Sequence, residues 1–141
     1  MFSKILVPVD ASNHSYKALS AALKLSKSIG SEVSVIYIME YVPKIYIQSQ
    51  KQFDELLEAQ RNYGKKVLNK CLAQAKESDT TITTQLQEGD PASVILETSS
   101  AGKYDLIIMG SRGMGKFKEL VLGSVSSKVV HHSSCPVMIM K

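Results

Sequence analysis

A glycine-rich segment near the carboxyl end of the chain carries the residues with the clearest chemistry. It runs from Gly110 to Lys116 (GSRGMGK), follows apolar residues 106–109 (LIIM), and precedes Gly123-Ser124 by six residues. Glycine lets backbone N–H groups approach a ligand closely, and a helix N-terminus carries unpaired N–H groups and a partial positive charge. The spacing therefore predicts a buried strand, a phosphate-sized loop and a short helix that together bind an anion.

The segment is close to a P-loop but departs from it at one position. Gly110, followed after four residues by Gly115-Lys116, matches the first seven positions of that motif. The eighth should be Ser or Thr, because its hydroxyl holds Mg²⁺. Phe117 stands there instead, which argues against a P-loop NTPase.

Three segments together resemble the universal stress protein family. The pattern Gly110, two residues, Gly113, nine residues, Gly123-Ser124 resembles the nucleotide-binding signature of the family's ATP-binding branch. Residues 4–10 (KILVPVD) resemble the family's first strand with an Asp at its tip, and residues 135–140 (CPVMIM) resemble its last strand. Because the segments span the chain in the family's order, the resemblance covers a single domain, residues 1–141. It implies ATP, with Mg²⁺, as the ligand.

The resemblance also implies a role for each part of the site. The glycines let the loop fold over the phosphates, which backbone N–H groups and serine hydroxyls at the start of the next helix hold. Arg112 and Lys116 either supply positive charge or point into solvent. Apolar residues at the strand ends, with the main chain near Ile38, line the base and sugar. The implied nucleotide-binding residues are Pro8, Asp10, Ile38, Met109, Gly110, Arg112, Gly113, Gly115, Gly123, Ser124, Val125 and Ser126.

Asp10, just after the first predicted strand, has two interpretations. The carboxyl end of a strand in an open α/β sheet is where ligands bind, and the resemblance implies contact with the ribose or with nucleotide-bound Mg²⁺. Alternatively, Asp10 caps the next helix, a role that Ser12 or Asn13 fills equally well. We favour the ligand role. Family members usually have Asp-Gly-Ser at this tip, so the methyl group of Ala11 would restrict a positive φ there.

Hydrophobic periodicity predicts an alternating β/α order. Short apolar runs predict strands, and stripes of period 3.6 predict helices. Right-handed crossovers on alternate faces then give a doubly wound parallel sheet with helices on both faces. We expect five strands in the order 3-2-1-4-5, on which the pattern and the family resemblance agree. The switch point falls between strands one and four, where Asp10 and Gly110 lie. The predicted strands are 4–9, 32–39, 80–87, 104–109 and 136–140; the predicted helices are 16–29, 51–77, 91–102 and 124–132.

Composition argues against several other classes of protein. The 141 residues suit one domain, and no apolar run approaches the length of a membrane span. The net charge of +4 is spread over several predicted helices, so we expect no nucleic acid partner. Residues 1–4 lead straight into a strand without a signal-peptide pattern, which predicts a cytoplasmic protein. Cys71 and Cys135 are interpreted as buried or idle thiols, and His131-His132 lack further ligands at metal spacing.

Three functions remain open at this point. The one we favour is a regulatory module in which bound ATP changes the loop and so alters partner affinity or dimer state; the link with stress survival comes from the family alone. The second is a slow ATPase. Hydrolysis needs a base, and none is evident beyond Asp10, so no catalytic residue is assigned. The third is a nucleotide-free homodimeric interaction protein, against which the intact glycines argue.

Two further features bear on assembly and on the base. The last predicted strand, with Val137–Met140, is apolar on both faces yet lies at a sheet edge, an arrangement that invites pairing. Since the family forms homodimers through this strand, a two-fold dimer across Val137–Met140 is predicted. Tyr41 and Tyr46, in the loop after the second strand, either cover the base or pack beneath the loop.

Overall fold

The computed structural model describes residues 1–41, 43, 47–112 and 122–141. Within these ranges strands and helices alternate without exception. In chain order the elements are β1 (Lys4–Val9), α1 (Asn13–Ile29), β2 (Glu32–Met39), α2 (Gln50–Glu77), β3 (Ile82–Glu88), α3 (Pro91–Ala101), β4 (Leu106–Gly110), α4 (Ser124–His132) and β5 (Val137–Met140).

The strands form one parallel sheet of order β3-β2-β1-β4-β5, which confirms the predicted doubly wound topology. β1 pairs with β2 along its whole length, from Lys4 to Val9. It pairs with β4 only at Ile5 and Leu6. Pro8, which has no N–H to donate to a neighbouring strand, lies where this second pairing has ended. The two central strands therefore separate toward their carboxyl ends and leave a crevice at the switch point.

Each face of the sheet is covered by a pair of helices. Successive residues of a strand point to opposite faces, so Val7 packs under α1 and α2, whereas Leu6 packs under α3 and α4. Both are fully buried, as are Ile36 and Ile107, and burial of such a side chain contributes about 1.5–3 kcal/mol. This double covering explains why the central strands are apolar throughout. No helix in the described part of the chain is long and apolar enough to cross a membrane.

Local hydrogen bonds explain two of the differences from the predicted bounds. α1 begins at Asn13 rather than at residue 16, because the Ser12 hydroxyl accepts a hydrogen bond from Ser15 N at 3.1 Å and caps the helix. β3 begins at Ile82 rather than at residue 80. Thr80 N donates to Ala75 O at 2.9 Å, so Thr80 still belongs to the turn that ends α2.

Cys71 is a residue of α2. Its side chain is fully buried in the core between the sheet and helices α1 and α2. Burial raises the pKa of its thiol to about 11, so the thiol stays protonated at neutral pH and is a poor nucleophile. This fits the prediction of an idle thiol.

Asp105 ties the amino end of β1 to the start of β4. Its carboxylate accepts hydrogen bonds from Lys4 N and Ser3 N, both at 2.9 Å, and from the Ser3 hydroxyl at 3.1 Å. These bonds stabilise the ionised form. The hydrogen bond from Lys4 N is the largest cause that lowers the pKa of Asp105 below its usual value.

We expect Asp105→Asn to remove an acid-sensitive part of the stability. Because the folded-state pKa is below the unfolded one, this contribution is complete above the unfolded value, near pH 4, and is lost as the pH falls through the lowered pKa. Urea unfolding should show a loss of about 1 kcal/mol at pH 7 that shrinks toward pH 3. Asp79→Asn, at an Asp on another loop, is the control; a pH-independent loss in Asp105→Asn would contradict the prediction.

Candidate functional site

A pocket of about 1170 Å³ opens at the carboxyl end of the sheet, where the strand order reverses. This is the position at which open α/β sheets bind ligands. The pocket is lined by the ends of β1, β2 and β4 together with parts of α2, α3 and α4. Ten of the predicted nucleotide-binding residues lie together on its wall: Pro8, Asp10, Ile38, Met109, Gly110, Arg112, Gly123, Ser124, Val125 and Ser126. Gly113 and Gly115, with Lys116 and Tyr46, lie outside the described residues.

Two polar side chains have different roles in the turn between β1 and α1. Asp10 Oδ1 accepts a hydrogen bond from Ser12 N at 3.0 Å, while Ser12 itself caps α1. Asp10 is exposed and lines the pocket. The helix therefore has its cap without Asp10, and the carboxylate lies at the crevice. The turn places Ala11 at a φ of 72°, a left-handed conformation that a side chain disfavours.

We expect Ala11→Gly to stabilise the chain slightly. Relief of the left-handed strain at Ala11 is worth about 1–2 kcal/mol, and the greater freedom of glycine in the unfolded chain offsets about 0.5–1 kcal/mol of it. Denaturant unfolding should therefore show a net gain of about 0.5–1 kcal/mol. The matched control is Ala21→Gly in the middle of α1, which should cost about 1 kcal/mol. Equal losses in the two variants would contradict the assignment of strain to Ala11.

Gly110 ends β4 against the first turn of α1. A Cβ atom there would lie 2.7 Å from His14 Cβ, 2.9 Å from His14 C and 3.1 Å from Ser15 N. Two of these are backbone atoms of a helix, which cannot move aside individually. Gly110 lines the pocket, but the close approach of α1 is by itself enough to require glycine at this position.

Ser111, in the glycine-rich segment, is hydrogen-bonded to the start of α4 and to β5. Its carbonyl oxygen accepts hydrogen bonds from Gly123 N at 2.8 Å and from the Ser126 hydroxyl at 2.7 Å. Its N–H donates to Met140 O in β5 at 2.8 Å. We call Ser111, Gly123 and Ser126 the loop base. The Ser126 hydroxyl, predicted from the resemblance to hold phosphate, donates its proton within the loop base and is 2% exposed.

The start of α4 presents positive electrostatic potential to the pocket. Gly123 is the N-cap residue of α4. Because it has no side chain that could accept a hydrogen bond, it leaves the first N–H groups of the helix without a side-chain cap. Ser124, the first helical residue, is exposed on the pocket wall. A Cβ atom on Gly123 would lie 3.6 Å from Arg112 Cγ, which shows that the Arg112 side chain starts beside this helix end.

Arg112 has a buried nitrogen atom that finds no partner in the described parts of the chain. Its Nη1 atom is buried without a hydrogen bond to any of those residues. A buried, unsatisfied donor on a charged group carries a substantial free-energy penalty. An anion in the pocket would supply the missing acceptor. Arg112 lines the pocket, and its orientation toward a ligand stays a prediction.

Helix α2 contributes pocket residues that sequence reasoning missed. Leu56, Ala59, Gln60 and Tyr63 line the pocket together with Tyr37 of β2. Burial raises the pKa of Tyr37, and the nearby Tyr63, Asp10 and Glu40 raise it further, so the phenol stays neutral at neutral pH.

The spacing i, i+3, i+4, i+7 of the four α2 residues was visible in the sequence. The apolar stripe from which periodicity predicts this helix runs through Phe53 and Leu57, on another side of it. Tyr41, predicted either to cover the base or to pack beneath its loop, is 69% exposed and is absent from the described pocket wall.

Comparison with known proteins places the chain in a class and then in a family. A doubly wound parallel sheet with a switch-point pocket defines a class of α/β ligand-binding domains. The sequence model of the universal stress protein family matches residues 1–141. The chain therefore belongs to the universal stress protein family. It is 35% identical to universal stress protein YxiE of Bacillus subtilis, with both chains fully covered. It is 31% identical to universal stress protein MJ0531 of Methanocaldococcus jannaschii, over all of this chain and 83% of that one.

Solved structures show the same fold at lower identity. Universal stress protein UspA from Lactobacillus plantarum superposes with a TM-score of 0.86 at 23% identity, covering 99% of this chain and 98% of that one. A family protein from Arabidopsis thaliana with AMP bound has a TM-score of 0.72 at 22% identity, covering 99% and 91%. A universal stress protein in complex with cAMP has a TM-score of 0.70 at 22% identity, covering 99% and 96%.

Proposed function

We propose that this chain is a cytoplasmic, ATP-binding regulatory protein of the universal stress type, with Mg-ATP in the switch-point pocket. The observation that carries the proposal is Arg112, which lines the same pocket as the start of α4 and whose buried Nη1 lacks an acceptor among the described residues. A guanidinium beside a helix N-terminus suits a phosphate group. The relatives with bound AMP and cAMP support an adenine nucleotide.

The proposed pose follows the polarity of the pocket wall. The phosphates lie at Arg112, at the backbone N–H groups of residues 124–126 and at the Ser124 hydroxyl, with Gly113 and Gly115 folding the loop over them. Asp10 faces the ribose or the nucleotide-bound Mg²⁺. Pro8, Ile38 and Met109 form the apolar wall for the base and sugar. The two free cysteines fit a reducing compartment such as the cytoplasm.

Regulation is favoured over catalysis because the described pocket wall offers few groups that can move a proton. Asp10 and Glu40 are its acidic residues, and Asp10 already accepts a hydrogen bond from Ser12 N. Slow hydrolysis is the alternative, and the nucleotide recovered from the purified protein distinguishes the two. ATP on the protein supports a binding module, whereas ADP supports turnover.

The test is the nucleotide content of the purified chain, followed by titration with ATP and Mg²⁺. The protein is denatured, and the released nucleotides are identified by chromatography. We expect ATP from the wild type and little from Gly113→Val. Failure of the wild type to bind ATP at millimolar concentration would overturn the proposal and favour the nucleotide-free interaction protein.

We further propose that two copies pair through β5. This strand lies at the edge of the sheet, and its four residues are apolar and all partly or well exposed. Unpaired edges of this kind associate readily. Ile139 is a poor position for testing the pairing, because it packs on the core under α3 and α4. Met138 is 37% exposed and is the better choice.

Met138→Lys is therefore expected to convert a dimer into a monomer. A lysine at the centre of the paired edge would be buried beside its symmetry mate without a counter-charge. Light scattering after size exclusion should give twice the chain mass for the wild type and for the control Leu72→Lys, at a 41% exposed residue of α2. A dimeric Met138→Lys, or a monomeric wild type, would remove the proposed interface.

A further inference from the structure

The pocket wraps around the carboxyl edge of the sheet and has a lobe on each face. Neighbouring residues of a strand point to opposite faces. At the end of β2, Tyr37 packs with the core under α1 and α2, whereas Ile38 packs with the core under α3 and α4, and both line the pocket. The proposed base-binding residues belong to the Ile38 face. The other lobe, which we call the tyrosine lobe, is lined by Ser15, Tyr37, Leu56, Ala59, Gln60 and Tyr63.

Helix α2 forms the outer wall of the tyrosine lobe because it projects beyond the sheet. At Gly64 it packs directly on β2, since a Cβ atom there would lie 2.8 Å from Tyr37 Cδ1. The turns before Gly64 therefore extend about 20 Å past the level of Tyr37, at 1.5 Å per residue. One face of this projection lines the pocket, and it holds Leu56 and Tyr63 at 38% and 47% exposure.

The lobe is aromatic and carries no formal charge. The Tyr37 and Tyr63 rings meet edge to face, with centroids 6.1 Å apart and planes at 63°, an arrangement to which a further flat ring can add. Within the described residues no hydrogen bond engages the Gln60 carboxamide, which offers both a donor and an acceptor to the lobe. The negative charges of Asp10 and Glu40 act on Tyr37 and so disfavour an anion within this lobe.

From this arrangement we infer that the tyrosine lobe binds an uncharged, planar aromatic ring with a hydrogen-bonding edge, of the size of a nucleobase. Such a ring has two possible sources. It is either the second base of a dinucleotide whose first half lies on the Ile38 face, or a separate small molecule that binds beside ATP. Both sources use the same contacts with Tyr63 and Gln60, and the inference rests on the proposed function only in assigning ATP to the other lobe.

The test measures the binding of three probes to the full chain by calorimetry. The probes are ATP, diadenosine tetraphosphate, and adenosine added to ATP-saturated protein. The test variant is Tyr63→Ala. Leu72→Ala is the control, since Leu72 is an exposed leucine of the same helix that does not line the pocket. Both replacements place alanine, the strongest helix former, at an exposed position, so both variants should fold, which circular dichroism checks.

We expect Tyr63→Ala to leave ATP affinity unchanged and to weaken one of the other probes about tenfold, the usual value of one stacking contact with a base. If diadenosine tetraphosphate binds the wild type more tightly than ATP and loses this advantage in Tyr63→Ala, the ring is the second base of a dinucleotide. If Tyr63→Ala instead weakens the binding of adenosine to ATP-saturated protein, the ring belongs to a separate small molecule. If ATP binds and Tyr63→Ala changes neither probe, the inference is wrong while the proposed function stands. If ATP does not bind, the proposed function is wrong, and the same comparison with adenosine on nucleotide-free protein decides the inference.

Discussion

Arg112→Gln should weaken ATP binding by about 10- to 100-fold. A hydrogen bond to a charged group contributes about 1.5–3 kcal/mol, and each 1.4 kcal/mol is a factor of ten in affinity. Arg112 Nη1 is buried in the protein without an acceptor among the described residues, so its contribution is made only when an anion arrives. Glutamine keeps a polar side chain but removes the charge and shortens the reach. Calorimetric titration with Mg-ATP measures the loss.

The stability of the nucleotide-free protein should move in the opposite direction. Arg112→Gln removes a buried, unsatisfied charged group, so the free energy of unfolding without nucleotide should stay level or rise by up to about 1 kcal/mol. Arg61→Gln is the matched control: its side chain is 42% exposed and forms only a 3.6 Å ion pair with Glu58. Unchanged ATP affinity in Arg112→Gln, or a large loss of stability, would show that Arg112 is a structural residue.

Gly110→Ala is expected to destabilise the nucleotide-free chain by about 3 kcal/mol, at the upper end of the usual cost of overpacking. The added methyl group meets the backbone of His14 and Ser15 in α1 at 2.9 and 3.1 Å. Relief would require α1 to move away from β4 as a whole. Urea unfolding without nucleotide measures the loss and separates this packing effect from any effect on a ligand.

Two other glycines provide matched controls for the same substitution. At Gly64 the atoms nearest to a methyl group belong to side chains, Leu86 Cδ1 at 2.7 Å and Tyr37 Cδ1 at 2.8 Å, and alanine favours the helix, so the net cost should be about 1 kcal/mol. At Gly30 nothing lies within 4 Å, and the cost is that of a φ of 75°, about 1 kcal/mol. If Gly110→Ala costs no more than these two, α1 is not held against β4 as described.

Period and composition predicted an open parallel sheet covered by helices, and the family resemblance agreed with its strand order. Strands such as Lys4–Val9 are short, β-branched and apolar on both faces, and a chain that alternates such strands with amphipathic helices has few ways to bury them. The switch point then follows from the strand order, so the location of the pocket was predictable before any contact was known. The bounds of the elements were less predictable, because single hydrogen bonds of Ser12 and Thr80 decide where α1 and β3 begin.

The roles of individual site residues depended on three-dimensional contacts that spacing does not encode. Gly110 was predicted from the resemblance as a ligand residue, but its contact with His14 joins residues distant in the sequence. The burial of Arg112 Nη1 and the engagement of the Ser126 hydroxyl by Ser111 likewise become visible only in the folded chain. The wall formed by α2 was missed because helical periodicity shows which residues share a face, not what that face meets.

The loop base also has an evolutionary consequence. The hydrogen bond from Gly123 N to Ser111 O fixes the two ends of the segment between them, whatever sequence connects those ends. For a loop closed between two fixed points, the entropic cost grows only logarithmically with length, by about 0.6 kcal/mol for each doubling. Insertions, deletions or a grafted recognition sequence between Arg112 and Leu122 should therefore leave the sheet and α4 undisturbed. This makes the segment a place where relatives of this chain can diverge in what they bind while keeping one scaffold.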